Sequence, residues 1–298
     1  MKIDLLKPVT NQESFSINNS TNHLDLNFLN SSDKVIFLTS IESLDKELNI
    51  NVKSRIKIKL IEIHDKSKDF QKVKMNIRVE DGAFLDHQII FLDSKNNSNY
   101  SINAKVLENS EYNISYIDLA NCSSELKCKI DLISKGASSN FVSAVMANCN
   151  DDKRVSIEIS NNEEYTKGII NNYGVVVSNG ILKFTGTGRI LNGAKKSIAR
   201  QKSTMIVFDK KATAVSEPYL FIDENDVEAS HASAVGTIDE EILFYLSSRG
   251  LSVNEAKKAV ILGHIQPVIA KIEDEKIKND IKELLERKVF ENAWCWKD

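Results

Sequence analysis

Proline occurs only three times in the 298 residues and glycine eleven times, whereas an ordinary multidomain α/β enzyme places more of both at its turns. Cysteine is equally sparse. Cys122, Cys128, Cys149 and Cys295 are too scattered for a disulfide framework, and their separations match no zinc or ferredoxin spacing. No charge of one sign dominates: 39 basic and 42 acidic residues leave a net charge of -3. That balance excludes bulk attraction to nucleic acid or anionic lipid. No apolar run approaches the roughly 18 residues that a membrane-spanning helix needs. The start, Met1-Lys2-Ile3-Asp4-Leu5-Leu6-Lys7-Pro8, has no signal-peptide core. The expectation is a soluble, cytoplasmic protein without nucleic-acid or membrane partners. Hydrolase signatures such as G-x-S-x-G and H-E-x-x-H are also absent.

What is present is alternation. Arg55-Ile56-Lys57-Ile58-Lys59-Leu60, Lys72-Val73-Lys74-Met75-Asn76-Ile77-Arg78-Val79, Leu126-Lys127-Cys128-Lys129-Ile130-Asp131-Leu132 and Val155-Ser156-Ile157-Glu158-Ile159 each place apolar residues on one face. Such strands have one buried and one wet side. Polar breaks at Asp81-Gly82, 95–99, 161–164 and Asn179-Gly180 separate strands that begin about 12 to 18 residues apart, with no helical period between them. An antiparallel sandwich and a β-solenoid both fit. Asp-Gly and Asn-Gly favour hairpins and hence the sandwich, the strand count favours the solenoid, and no clean repeat motif decides.

After residue 236 the period becomes helical. Thr237-Ile238-Asp239-Glu240 reads as a capping box with Thr237 at the N-cap, opening a helix with Ile242, Leu243 and Leu246 on its apolar side and a stop at Arg249-Gly250. Ser252-Val253-Asn254-Glu255 reads as a second box, and Ile277, Ile281, Leu284 and Leu285 mark a third helix. The expected organisation is a short N-terminal segment of strands and loops (1–50), a β core (51–236), a helical domain (237–290) and a tail (291–298) that contains Trp294-Cys295-Trp296.

Three constellations invite chemistry. In Gly186-Thr187-Gly188-Arg189-Ile190-Leu191-Asn192-Gly193-Ala194-Lys195, Ala194 occupies the lysine position of a phosphate loop, and the third glycine comes too late for a dinucleotide fingerprint. These glycines read as tight turns at strand ends. Cys128 shares a face with Leu126, Ile130 and Leu132 and reads as core. His231 lies among Ala229, Ser230, Ala232, Ser233 and Ala234, inside a 217–241 stretch that carries eight carboxylates and no Lys or Arg. Small neighbours and carboxylates suit a metal or another backbone. Yet residues 183–211 hold eight basic residues with only Asp209, so the two segments can neutralise one another across adjacent strands. Composition alone gives His231 a packing role.

The run from Gly186 to Lys195 with Gln201, then Ser216-Glu217-Pro218-Tyr219-Leu220, Asp223-Glu224-Asn225-Asp226-Val227, Ser230-His231-Ala232-Ser233-Ala234-Val235-Gly236 and Leu243-Phe244-Tyr245-Leu246-Ser247-Ser248-Arg249-Gly250-Leu251 resembles the SufB/SufD family. Ala232 after His231, and the lack of cysteine between 150 and 294, place the resemblance on the SufD side. It departs at Ala229, where many relatives have cysteine, and residues 1–50 are too short for the N-terminal helical domain that relatives carry. The resemblance implies a right-handed parallel β-helix followed by a small C-terminal helical domain. It further implies a non-catalytic scaffold for nascent iron–sulfur clusters, paired with a SufB-like subunit (or with itself as a homodimer) and with a SufC-like ATPase that hydrolyses the ATP. His231 matches the family's interfacial iron or cluster ligand, and Tyr245 and Arg249 fall in the ATPase-docking region. No cofactor is expected on this chain alone beyond a transient iron or iron–sulfur cluster at the interface. The alternative is a carbohydrate-binding or carbohydrate-cleaving β-solenoid, which needs clustered carboxylates, or cations with calcium ligands, along one face.

Overall fold

A computed structural model describes residues 2–5, 14–16, 23–30, 35–39, 45–64, 71–92 and 97–291. The odd-numbered strands are β1 (Lys2–Leu5), β3 (His23–Phe28), β5 (Asp45–Val52), β7 (Gln71–Val79), β9 (Ser98–Val106), β11 (Ser124–Leu132), β13 (Asp152–Asn161), β15 (Ile181–Ile190) and β17 (Thr213–Ile222). The even-numbered strands are β2 (Ser14–Ser16), β4 (Val35–Thr39), β6 (Lys57–His64), β8 (Phe84–Phe91), β10 (Glu111–Asp118), β12 (Ser138–Ala147), β14 (Lys167–Val176), β16 (Ile198–Val207) and β18 (Glu228–Thr237). Each set forms one sheet in chain order, and the ladders are parallel. The chain therefore alternates between two sheets and climbs one rung per pair of strands. This is the parallel β-solenoid that the family resemblance implied, not the sandwich.

The repeat is hidden because coil length drifts. His23 pairs with Glu47, Glu47 with Lys74, Lys74 with Ser101, Ser101 with Lys127, Lys127 with Ser156, Ser156 with Thr185 and Thr185 with Glu217, so the offset varies between 24 and 32 residues. Asp81-Gly82 and Asn179-Gly180 are corners between the two sheets rather than hairpins. At one corner a left-handed residue recurs coil after coil: Arg55, Gly82, Asn109, Gly136, Tyr165 and Lys196, with φ between 51° and 71°. The amide of each donates to the next coil, from Arg55 to Asp81 O at 2.9 Å through to Lys196 to Asp226 O at 2.6 Å. Only two of the six are glycine, although left-handed backbone costs other residues about 1–2 kcal/mol. The stacked corner bonds hold the remaining four there, which is how so many turns coexist with so little glycine.

The segment 1–50, read as strands and loops, supplies strands to both sheets, with β3 pairing on β5 and β5 on β7. The two sheets enclose one apolar interior from Leu24 to Met205, and Cys128 lies in it as expected. Burial pushes the Cys128 thiol well above its ordinary range, so it stays protonated as a packing group.

The outer faces differ. Along the odd sheet, charged and amide side chains alternate with buried ones. Along the even sheet, strands such as β8 and β12 are buried on both faces, because helices cover them. Helices α1 (Glu240–Ser248), α2 (Val253–Ile269) and α3 (Glu275–Glu291) follow the last strand. Ile261, Ile265, Val268, Ile277, Ile281 and Leu285 pack on Ile61, Ile90, Ile117, Val142, Met146 and Val175 as a second core. The Ser252–Glu255 capping box forms as read. The first box does not: Thr237 remains in the β18 ladder opposite Val207, and Asp239 caps α1 by accepting from Glu241 N at 2.8 Å. No α1 residue is buried, so the apolar side read at Ile242, Leu243 and Leu246 has no deep packing partner.

Two charged groups sit inside the solenoid with partners. Lys153 Nζ reaches Asp118 Oδ1 at 2.6 Å and Ala120 O at 2.8 Å, while Tyr116 and Ser124 donate to the other carboxylate oxygen. Glu62 lies 3.1 Å from His87 and 3.6 Å from His64, and Tyr112 and Tyr100 contact those rings. Burial alone would raise the Glu62 pKa, but attraction to His87 and bonding to both rings hold it at about 2. The ionised carboxylate therefore stabilises the fold above its ordinary value near 4.5, and that contribution is lost as pH falls from there towards 2. Glu62→Gln is expected to flatten the acid limb of a thermal-denaturation profile between about pH 4.5 and 2 while lowering stability at neutral pH by about 3 kcal/mol. An unchanged acid limb would refute this.

Candidate functional site at the open end of the solenoid

The inner coils are hydrogen-bonded on both sides, whereas β1 and β2 end their sheets at the N-terminal side and β17 and β18 end them at the C-terminal side. The segment 217–241 was read as acidic and balanced by 183–211, and the last coil forms in that way. Lys183 pairs with Glu217 at 2.8 Å, Lys196 with Asp226 at 2.8 Å and Arg200 with Glu228 at 2.6 Å. Glu224 accepts from Asn225 N at 2.9 Å and from Gly193 N at 3.1 Å, and these backbone bonds hold its carboxyl below the usual range. Much of the acid is thus already committed within the chain.

All ten residues of β18 are exposed. Its sequence, Glu-Ala-Ser-His-Ala-Ser-Ala-Val-Gly-Thr, carries none of the lysines, prolines or bulges by which free edges are usually blunted. Tyr219, Phe221, Ile222 and Val235 are large apolar side chains exposed at the same end. Tyr219 stacks on Phe221 with ring centroids 6.5 Å apart, and the Arg189 guanidinium lies 4.4 Å from the Phe221 centroid. Pro218 stands in β17, a position at the end of a sheet where a missing N–H is tolerated.

His231 lies at the middle of this edge, exposed, and in register with Gln201 on β16. Gln201 belongs to the inward column of β16, where Ala199, Ser203 and Met205 are also buried. His231 therefore continues an interior column that no further coil covers. Among the described residues no three His, Cys, Asp or Glu side chains come together as a metal site, so His231 can supply one ligand and not a whole set.

Sequence reading named Gln201 only within the family motif and missed both its role and the reason for the neighbouring glycines. Gly186 and Gly188 are not turns at strand ends; they lie within β15, on its buried face. A Cβ at Gly186 would stand 2.6 Å from Gln201 Oε1, and one at Gly188 would stand 2.9 Å from Gln201 Nε2. The missing side chains let Gln201 cross the interior and donate to Tyr219 O at 2.7 Å, tying β16 to β17. Its Oε1 is buried without a hydrogen-bond partner among the described residues. Gly193, in contrast, is a true turn with φ 91°. Two glycines spaced by two within a strand were the available signal, since that spacing clears one face.

Arg249 caps α1 and its guanidinium lies 5.2 Å from the Tyr245 ring centroid. Tyr245 and its neighbour Phe244 are 55% and 76% exposed. The two residues read as docking residues are thus brought together on α1. Cys295 and its flanking tryptophans lie outside the described residues.

Residues 38–264 match the family model described as "SUF system FeS cluster assembly, SufBD core domain". The chain belongs to the SufBD family. It is similar to the iron-sulfur cluster assembly protein SufD of Bacillus subtilis (strain 168), with 39% identity over 124 residues, which is 42% of this chain and 28% of that protein. It is also similar to an iron-sulfur cluster assembly SufBD family protein of Staphylococcus haemolyticus, with 33% identity over 102 residues, 34% of this chain and 21% of that protein. The matches thus span roughly a quarter of those curated relatives. The solenoid from β5 onward and the β17–β18 end both fall within the matched family core. No helix among the described residues is long and apolar enough to cross a membrane.

The Gln201 tie is testable at this level. Gln201→Ala and Gly186→Val are each expected to lower stability by about 1–3 kcal/mol. The double variant should fall short of the sum, because both remove the same bond to Tyr219. Full additivity in denaturant titrations would refute the tie.

Proposed function

We propose that this chain is a scaffold subunit of iron–sulfur cluster assembly in the Suf system, with no catalytic machinery of its own. The observation that carries the reading is the bare last coil: an unblunted ten-residue edge with apolar side chains beside it and His231 at its centre. A SufB-like subunit, or a second copy of this chain, would continue the sheets across that edge by backbone pairing. The nascent iron–sulfur cluster is the cargo at the seam. Each subunit then needs to offer only one or two ligands, and neutral imidazole binds iron loosely enough for later transfer. Among the described residues no full set of metal ligands comes together, so the pairing would supply the remainder.

The exposed α1 surface around Tyr245 and Arg249 would receive a SufC-like ATPase, whose ATP hydrolysis would rearrange the seam. Helix α1 suits this because none of its residues is buried. The carbohydrate reading finds less support. Four of the eight carboxylates that motivated it are engaged by Lys183, Lys196, Arg200 and the Gly193 amide, which leaves those four poorly placed for acid–base work on a sugar.

Two outcomes check the proposal. Co-expression with SufB-like and SufC-like proteins should yield one stable complex in size-exclusion chromatography, and Tyr245→Ala with Arg249→Ala should release the ATPase alone. A chain that stays monomeric beside both at micromolar concentration would overturn it. His231→Ala should reduce cluster reconstitution several-fold, read from visible absorption, while complex formation persists. If the variant instead loses complex and cluster together, the imidazole is a packing group.

A further inference from the structure

The outer face of the odd sheet carries a feature that cluster assembly does not use. Its outward cations are paired almost throughout: Lys74 with Glu47 at 2.9 Å, Lys127 with Glu125 at 2.8 Å, Lys129 with Glu158 at 3.6 Å, Arg154 with Asp152 at 2.8 Å and Lys183 with Glu217 at 2.8 Å. Arg78 on β7 and Lys105 on β9 depart from this pattern. They are in register on adjacent strands, about 4.8 Å apart by sheet spacing, and neither makes a salt bridge among the described residues. Asp131 follows Lys105 in the same column without forming an ion pair with it. Like charges stacked on neighbouring strands repel; Glu80 draws on Arg78 and Asp131 flanks Lys105, and an anion settling on both cations would relieve the repulsion that is left.

The surroundings supply the rest of a site. Arg78 and Lys105 line a cavity of about 580 Å³ together with Asn76 and Asn103, with the carboxylates of Asp25 and Asp131 also on its wall, a size that fits a small molecule. Asn76 donates to Glu47 and to Asn49, each at 2.9 Å, and Asn49 donates to Asp25 at 2.8 Å. That ladder fixes the amides in place, while the exposed Asn103 has no such bond. A guanidinium and an ammonium side by side bind an oxyanion well, the first through two parallel bonds and the second as a point charge. Fixed amides beside them donate to and accept from hydroxyl groups.

We infer that this groove binds a small phosphorylated polyol, with the phosphate on Arg78 and Lys105 and the hydroxyls along Asn76 and Asn103. The test is isothermal titration of the full chain with ribose 5-phosphate, inorganic phosphate and ribose at constant ionic strength. Ribose 5-phosphate should bind saturably and at least tenfold more tightly than phosphate, and ribose alone should not register. Arg78→Gln with Lys105→Gln should weaken ribose 5-phosphate at least tenfold, whereas Asn103→Ala should weaken it several-fold and leave phosphate unchanged. In the absence of ligand the double variant should melt at the same temperature as the parent or higher, because it removes a repulsion. The inference is overturned if the parent shows no saturable binding at millimolar ribose 5-phosphate, if the double variant binds as the parent does, or if chloride displaces the ligand equally well. A lowered melting temperature of the ligand-free double variant would likewise overturn it, since the two cations would then be structural.

Discussion

Parallel in-register pairing between successive coils is the constraint on which the rest of this structure depends. Each strand presents backbone donors and acceptors to both sides, and a coil satisfies them only by stacking on another. The stack from β3 to β18 is one such ladder. It brings together residues about one coil apart in sequence, it builds the apolar interior, and it cannot terminate without leaving an edge. The bare β18 edge is therefore a direct consequence of the fold, and His231 lies exposed at its middle.

The two outer faces divide the remaining work. Apolar residues on the even sheet outnumber what a wet face would carry, and α2 and α3 cover them. His264 on α2 adds a polar link by reaching Thr204 O at 3.1 Å, and its ring lies edge-on to Tyr173 with centroids 5.8 Å apart. Burial lowers the pKa of that imidazole, which favours the neutral form at the seam. The odd sheet has no such cover and keeps its face soluble with ion pairs and amide ladders, among which the stacked Arg78 and Lys105 stand out.

How far the chain could be read depended on the range of the interactions involved. The Ser252 box was legible because a cap is settled within four residues. The Thr237 box was misread for a tertiary reason: Thr237 is still paired with Val207, so the helix begins two residues later at Asp239. Charge segregation between 183–211 and 217–241 was legible because register brings opposite blocks together, as in Lys183 with Glu217. Gly186 and Gly188 were misread as turns because their meaning lies in Gln201 on another sheet. The buried group of Glu62, His64 and His87 was invisible for the same reason, since His87 belongs to the next coil.

By itself, then, the sequence determined the strand periodicity, the change to helix after residue 236, the burial of Cys128 and the family motif around His231, because alternation, caps and motifs are written in neighbouring residues. The tertiary structure decided between sandwich and solenoid, since period-2 alternation is the same for parallel and antiparallel partners. It also decided which polar residues meet. Contacts between coils depend on an offset that drifts from 24 to 32 residues, and each such drift moves a different side chain into the column.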